Sequence, residues 1–187
     1  MSAPVPELAD RAAACADRLL AADEVLLASH IDADGLTSAA VASTALARAG
    51  VEFETVFKKQ LDAHEIATIA ETGYGTVLFT DFGSGQLDDI VDHERGGDFT
   101  PVVADHHRPA DAETEFHLNP LLVGLDGASE LSGAGAAYVL ARALGEATTG
   151  EADANADLAA LAVVGAVGDM QASGGELHGA NAGIVAE

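Results

Sequence analysis

Four short apolar-rich segments, at positions 24–29, 51–57, 76–80 and 101–104, alternate along this chain with stretches of helical periodicity. Strands that are apolar throughout and separated by helices predict a parallel sheet covered on both faces. Helices are expected at about 6–22, 35–49, 63–71, 86–93, 133–144 and 154–167. In the first, Leu8, Ala12, Cys15 or Ala16, and Leu19 share one face, and Gly50 stands where a C-cap is wanted after the second. From 105 through Asn119-Pro120 the pattern predicts loop. The fold class is therefore α/β, an open, mainly parallel sheet with helices on both faces.

With 187 residues, 49% of them apolar, the chain can bury one sizeable core. We expect a single domain over 1–187, with 1–22 as a leading helix and the glycine-rich 173–187 as the start of a linker or a cut end. A single cysteine, Cys15, excludes a disulfide framework, and no Cys/His knuckle is present to hold structural zinc. The charged residues among 1–20 do not fit a signal peptide. The apolar run 158–168 is too short to cross a bilayer, which takes ~20 residues. The expected setting is cytoplasmic, with no membrane partner.

Eight basic against 31 acidic residues give a formal charge of -23. A nucleic-acid binder is ordinarily basic. Here, however, the acidity is spread along the whole chain, with lysine present only as Lys58 and Lys59. Such a surface suits a halophile's cytoplasm. At molar salt the Debye length is ~3 Å, so self-repulsion is screened while carboxylates keep the surface hydrated. On that reading the net charge says little about the ligand.

The chemistry lies just after the strands. Ser29-His30-Ile31-Asp32-Ala33-Asp34-Gly35 follows the first, Asp81-Phe82-Gly83 the third and Asp105-His106-His107 the fourth. In an open parallel sheet the carboxyl ends of the strands line one crevice. His30, Asp32, Asp34, Asp81, Asp105, His106 and His107 should therefore converge. Carboxylates packed so closely repel one another unless a cation sits among them. Imidazole mixed with carboxylate suits Mn²⁺, Fe or Zn²⁺ better than Ca²⁺. There are enough ligands for two ions sharing one carboxylate. Taken singly, each motif has a plainer reading: Asp34-Gly35 and Asp81-Phe82-Gly83 as turns, the His-His pair as an exposed loop. Their recurrence at three strand ends favours the site. His64, His93, His117 and His178 lack that setting and read as surface or loop residues.

These motifs resemble the first three signatures of the DHH phosphoesterase superfamily. A fourth, an Asp ending an apolar helix, resembles Val164-Gly165-Ala166-Val167-Gly168-Asp169. Asn119-Pro120 and Ser132-Gly133-Ala134-Gly135 are similar to elements of its archaeal RecJ-like branch. The resemblance covers roughly 24–172 and implies a Rossmann-like DHH domain, either the N-terminal part of a longer protein whose second domain grips the substrate or a minimal form without that clamp. It implies two divalent ions, Mn²⁺ by preference and Mg²⁺ as the alternative. His30, Asp32 and Asp81 would hold one ion; Asp34, Asp81, His106 and Asp169 the other, with Asp81 bridging. Asp105 would accept an N–H from a histidine and fix its tautomer, and His107 would face the substrate phosphate as electrophile or proton donor. Ser132, Gly133 and Gly135, opening a helix, offer backbone N–H groups to an oxyanion, or else simply cap that helix. Lys59 and Arg108, with Lys58, are the cations near the crevice, either substrate contacts or solvated charges.

The function expected from the resemblance is a metal-dependent phosphodiesterase or exonuclease acting on single-stranded DNA or RNA. The alternative is a phosphoesterase for short oligonucleotides, a cyclic dinucleotide or a phosphoadenosine nucleotide. A third reading, a non-catalytic scaffold among replication or repair proteins, fits less well because the full ligand set is present.

Overall fold

The computed structural model describes residues 3–186. Five parallel strands, β1 (Glu24–His30), β2 (Glu52–Lys58), β3 (Thr76–Thr80), β4 (Thr100–Ala104) and β5 (His117–Leu118), form one sheet in the order β2-β1-β3-β4-β5. The predicted open parallel α/β sheet is what the chain adopts. Because successive side chains point to opposite faces, β1 feeds two cores at once. Val25 and Leu27 pack with Leu78, Val102 and Ala104 beneath α1 (Ala9–Leu20), α2 (Ala33–Ala49) and α5 (Gly133–Thr149). Leu26 and Ala28 join Val77, Phe79 and Val103 beneath α3 (Ala63–Ala70) and α4 (Leu87–Gly96). Each fully buried Leu or Phe contributes roughly 1.5–3 kcal/mol.

Strand β2 departs from the expected apolar pattern, since Glu52, Glu54 and Thr55 are exposed. It is an edge strand, and charge there blunts pairing with another chain. Strand β5 lies within the stretch expected to be loop. It extends the sheet through the Phe116 carbonyl, which accepts from Val103 N at 2.9 Å, and the Leu118 carbonyl, which accepts from Asp105 N at 3.1 Å. Helix α6 (Ala159–Gly168) ends one residue before Asp169. The segment expected to open a linker carries a further helix, α7 (Gly179–Val185), packed on α6. Among the described residues no helix is long and apolar enough to cross a membrane.

The strand order places the reversal of the sheet between β1 and β3. From β1 the chain passes into α2 on one face, and from β3 into α4 on the other. The crevice opened where those connections part is the place such sheets bind ligands.

Candidate metal centre

The end of β1 delivers His30, and Asp32 then caps α2, its Oδ1 accepting from Gly35 N at 2.9 Å. His30 donates from Nε2 to the Lys59 carbonyl at 3.1 Å, which leaves the Nδ1 lone pair facing acid groups. From Nδ1, Asp32 Oδ2 is 3.0 Å away and Asp81 Oδ2 is 3.6 Å away. Burial opposes ionisation of Asp32, but the Gly35 N–H and His30 more than offset it, and its pKa lies below the ordinary value.

Asp81 follows β3 with φ +60°, a left-handed conformation uncommon outside glycine. It is 2% exposed, yet neither carboxylate oxygen has a hydrogen-bond partner. Its Oδ1 lies 3.3 Å from His106 Nε2, which is likewise buried and without a hydrogen bond. One oxygen thus faces His30 and the other faces His106. His106 is anchored at its far nitrogen, with Nδ1 donating to the Gly127 carbonyl at 2.7 Å. Both histidines therefore present one nitrogen to the acid cluster and spend the other on a backbone carbonyl, the usual support of a metal-ligating imidazole.

Asp34, 1% exposed, lies 3.8 Å from His106 Nε2. It is held by Gly133 N at 2.7 Å and Ala134 N at 2.9 Å, the opening N–H groups of α5. Asp169 Oδ2 comes within 3.8 Å of the same imidazole, at Nδ1. Two ligand groups result, each compact enough for one ion: His30, Asp32 and Asp81, and Asp34, His106 and Asp169. Burial first, and then the neighbouring Asp34 and Asp105 charges, push the Asp81 carboxyl up to about 8. Burial likewise raises Asp34. Orphaned, charge-frustrated oxygens between two oriented imidazoles fit a pair of divalent cations.

Asp105 is fully buried and makes a different set of contacts. Its Oδ1 accepts from His106 N at 2.7 Å, His107 N at 3.2 Å and His107 Nδ1 at 2.8 Å, and its Oδ2 from Ser84 N at 2.9 Å. Burial alone would raise its pKa; the His107 hydrogen bond, the two imidazole charges and the Ser84 N–H reverse this and hold it well below the usual carboxylate range. The Asp105 hydrogen bond in turn raises the pKa of His107 against partial burial. His107 is half exposed, and its ring lies between two crevices of about 580 and 550 Å³. Lys59, Gln60, Phe82 and Arg108 line the first together with His30 and Asp81. Lys58, by contrast, is paired with Glu65.

The backbone donors of Ser132, Gly133 and Gly135 are not open to a substrate oxyanion. Gly133 and Ala134 spend theirs on Asp34, and the Gly135 N–H is capped by Ser132 Oγ at 3.1 Å. All three residues are buried. These contacts favour the capping reading of the segment, with its next N–H groups fixing Asp34, over the oxyanion reading. A Cβ on Gly133 would overlap Asp81 Oδ1. Gly133→Ala is therefore expected to displace that carboxylate, weaken Mn²⁺ binding and cost about 1–3 kcal/mol of stability by overpacking. Calorimetric melts and Mn²⁺ titration of the variant check this.

His117 is corrected as well: it is 4% exposed, on β5. Asn119 Nδ2 donates to Ser84 Oγ at 2.9 Å and to the His107 carbonyl at 2.9 Å. The Ser84 hydroxyl proton is then free for His117 Nε2, also at 2.9 Å. Burial pushes the His117 imidazole down to about 4, so it serves this network as a neutral acceptor. His117, Ser84 and Asn119 thus back the Asp105–His107 pair, and only the Asn119-Pro120 dipeptide marked them in the sequence.

A model described as the DHH family, N-terminal domain, matches residues 24–166. The chain belongs to the DHH family. This DHH domain is 33% identical over 151 residues to an uncharacterised protein of Methanocaldococcus jannaschii, a match covering 76% of this chain and 32% of the relative. RecJ of Thermus thermophilus, solved in complex with Mn²⁺, superposes with a TM-score of 0.75 at 25% identity, over 97% of this chain and 26% of that one. An exonuclease RecJ bound to manganese gives 0.78 at 24% identity, over 99% of this chain and 48% of that one. The DHH domain thus spans about a third of the curated relative and between a quarter and a half of these RecJ chains.

The cluster also predicts how the metal-free DHH domain responds to pH. The pKa of Asp81 rises from 3.8 to about 8. His106 rises from 6.5 to about 10; burial opposes this but is outweighed by Asp81, the Gly127 carbonyl and the nearby acidic charges. A group whose pKa is raised by folding gives stability that is fully present below its unfolded pKa and lost as pH climbs through the folded one. Denaturant unfolding of metal-free protein should therefore show stability falling between about pH 6.5 and 10, less steeply in Asp81→Asn. Between about pH 4 and 6.5 the lowered pKa of His117 works against the Asp81 fall. Mn²⁺, which binds the ionised form, should reverse the trend. An identical fall in Asp81→Asn would remove Asp81 as its source.

Proposed function

We propose that this DHH domain is a metal-dependent phosphodiesterase of RecJ type, hydrolysing single-stranded nucleic acid with two divalent ions, Mn²⁺ by preference. One observation carries the reading: the buried Asp81 carboxylate, with no hydrogen bond at either oxygen, stands between His30 and His106. His30, Asp32 and Asp81 would hold one ion; Asp34, Asp81, His106 and Asp169 the other. When bound, such a pair lowers the pKa of a water and clamps the phosphate oxygens. RecJ of this fold has been solved with Mn²⁺ and with Mg²⁺, which supports a divalent ion.

The chain's own residues supply the rest. Asp105, kept ionised, holds His107 Nδ1 and so fixes the tautomer and aim of the ring. A protonated His107, favoured by that bond, can donate from Nε2 to a phosphate oxygen or to the departing alkoxide. Lys59 and Arg108, exposed along the crevice wall, meet a substrate phosphate from the solvent side. Phe82, 7% exposed at the crevice floor, narrows the space around His30.

A short substrate is favoured over a long one, because each crevice beside His107 has room for about one nucleotide and few cations extend beyond them. We expect this chain with Mn²⁺ to cleave a dinucleotide faster than it digests a long single strand. Activity should stay flat or rise from low to molar KCl. Surface carboxylates repel a phosphate backbone over tens of ångströms at low salt but over ~3 Å at molar salt. A binder relying on many Lys and Arg contacts would instead lose affinity steeply. Initial rates on labelled dinucleotide, single strand and duplex across KCl decide it. Processive digestion, or a steep fall with salt, would overturn the short-substrate reading; no hydrolysis of any of the three would overturn the function.

A further inference from the structure

The Asp34–His106–Asp169 group draws on anchors beyond the residues that the family model matches. Gln171, 4% exposed, donates from Nε2 to Asp169 Oδ2 at 2.8 Å and to the Gly127 carbonyl at 2.9 Å. That carbonyl is the one that receives the His106 Nδ1 proton. Gln171 Oε1 accepts from Asn181 Nδ2 at 2.6 Å. Asn181 is 2% exposed in α7, and its Oδ1 accepts from Ser132 N at 3.4 Å. Ser132 caps α5, whose next two N–H groups hold Asp34.

The partners determine both amide orientations. Turning Gln171 over would set Oε1 against a carbonyl and a carboxylate, and its Nε2 against the Asn181 donor. Turning Asn181 over would set two N–H donors against each other at Ser132. The pair therefore forms a directed chain of donors running from α7 to Asp169 and to the His106 anchor, with a branch to the start of α5. All three ligands of this group are referenced to it. The other group uses different supports: the Lys59 carbonyl for His30 and the Gly35 N–H for Asp32.

We propose that Gln171 and Asn181 are positioning residues for the ion held by Asp34, His106 and Asp169, so that helix α7 sets the affinity of that position separately from its neighbour. The inference rests on the two-ion reading above. It assigns neither residue a contact with the ion or the substrate. Partners of this kind typically govern 10–100-fold in metal affinity, because a ligand free to rotate must be ordered again at each binding event. The position depending on α7 would then be the one lost first when that helix loosens.

Two variants test this. Gln171→Leu removes both donors with little change of volume. Asn181→Asp changes a single heavy atom, but sets an oxygen against Gln171 Oε1 and so drives the amide over. Free Mn²⁺ is followed by electron paramagnetic resonance during titration, and metal-free melting is recorded alongside. In both variants one binding step should weaken by ~10–100-fold, while the other moves less than about three-fold. Combined with Asp32→Asn, Gln171→Leu should show its full effect on the remaining step. Combined with Asp169→Asn, it should add little, since the position it serves is already lost. Equal weakening of both steps, full additivity with Asp169→Asn, or unchanged titrations would overturn the proposal while leaving two ions in place. Uptake of fewer than two ions by the unsubstituted protein would overturn the two-ion reading and this inference with it.

Discussion

Asp81→Asn is expected to weaken Mn²⁺ at both ligand groups together and to lower hydrolysis by ~10³-fold or more. The asparagine keeps the shape of the side chain but loses the charge and one acceptor, at the carboxylate that, among the described residues, faces both His30 and His106. Metal-ion stabilisation of a phosphoryl transition state is worth several kcal/mol, and each 1.4 kcal/mol or so is a factor of ten in rate. Above about pH 8 the same change should stabilise the metal-free fold, because a neutral amide there replaces an ionised, buried carboxylate. Stability and metal affinity should thus move in opposite directions, a pattern that general damage to the fold would not produce. Titration, melting and turnover on one preparation test all three parts. Retention of one tight Mn²⁺ in Asp81→Asn would remove Asp81 from the bridging role.

His107→Ala should leave the Mn²⁺ titration unchanged and reduce turnover by ~10²–10⁴-fold, the range typical for a positioned acid or base. The separation follows from where the adjacent histidines point. His106 is buried against Asp81 and Asp34, whereas His107 turns to Asp105 and lies half exposed between the crevices. Asp105→Asn should copy the turnover loss in part, since the ring remains but its tautomer is no longer imposed. A metal lost on truncating His107 would mean that the two imidazoles exchange roles.

The central sheet was legible because β1, β3 and β4 are buried on both faces and so carry unbroken apolar runs along their middles. Their carboxyl ends follow directly, and the candidate ligand residues with them. Strand β5 was not legible: two residues are too few to show a period, and its register rests on β4 rather than on its own pattern. That omission also hid His117, whose burial comes from the sheet edge and not from its neighbours in sequence. The Ser132–Gly135 segment shows a different limit. Its free N–H groups are visible in the sequence, but the acceptor that takes two of them, Asp34, lies about a hundred positions earlier. Gln171 and Asn181 carried no signal at all, since two isolated amides in a glycine-rich stretch look like a solvated tail. Polar residues that work through other residues leave no spacing to read.

The left-handed backbone at Asp81 has an evolutionary consequence. A non-glycine residue in a sparsely populated conformation costs on the order of 1–3 kcal/mol, and here the burden of a buried acid without a hydrogen bond is added to it. Glycine at this position would relieve both. Replacing Asp81 is therefore downhill for the metal-free polypeptide, and a lineage released from the need for metal would drift towards a tougher, inert descendant. Heat-based screening of a mutant library in chelator would push the same way, enriching survivors that have given up the centre. Selection for robustness in this domain has to be run with the cation present, or it selects against the chemistry.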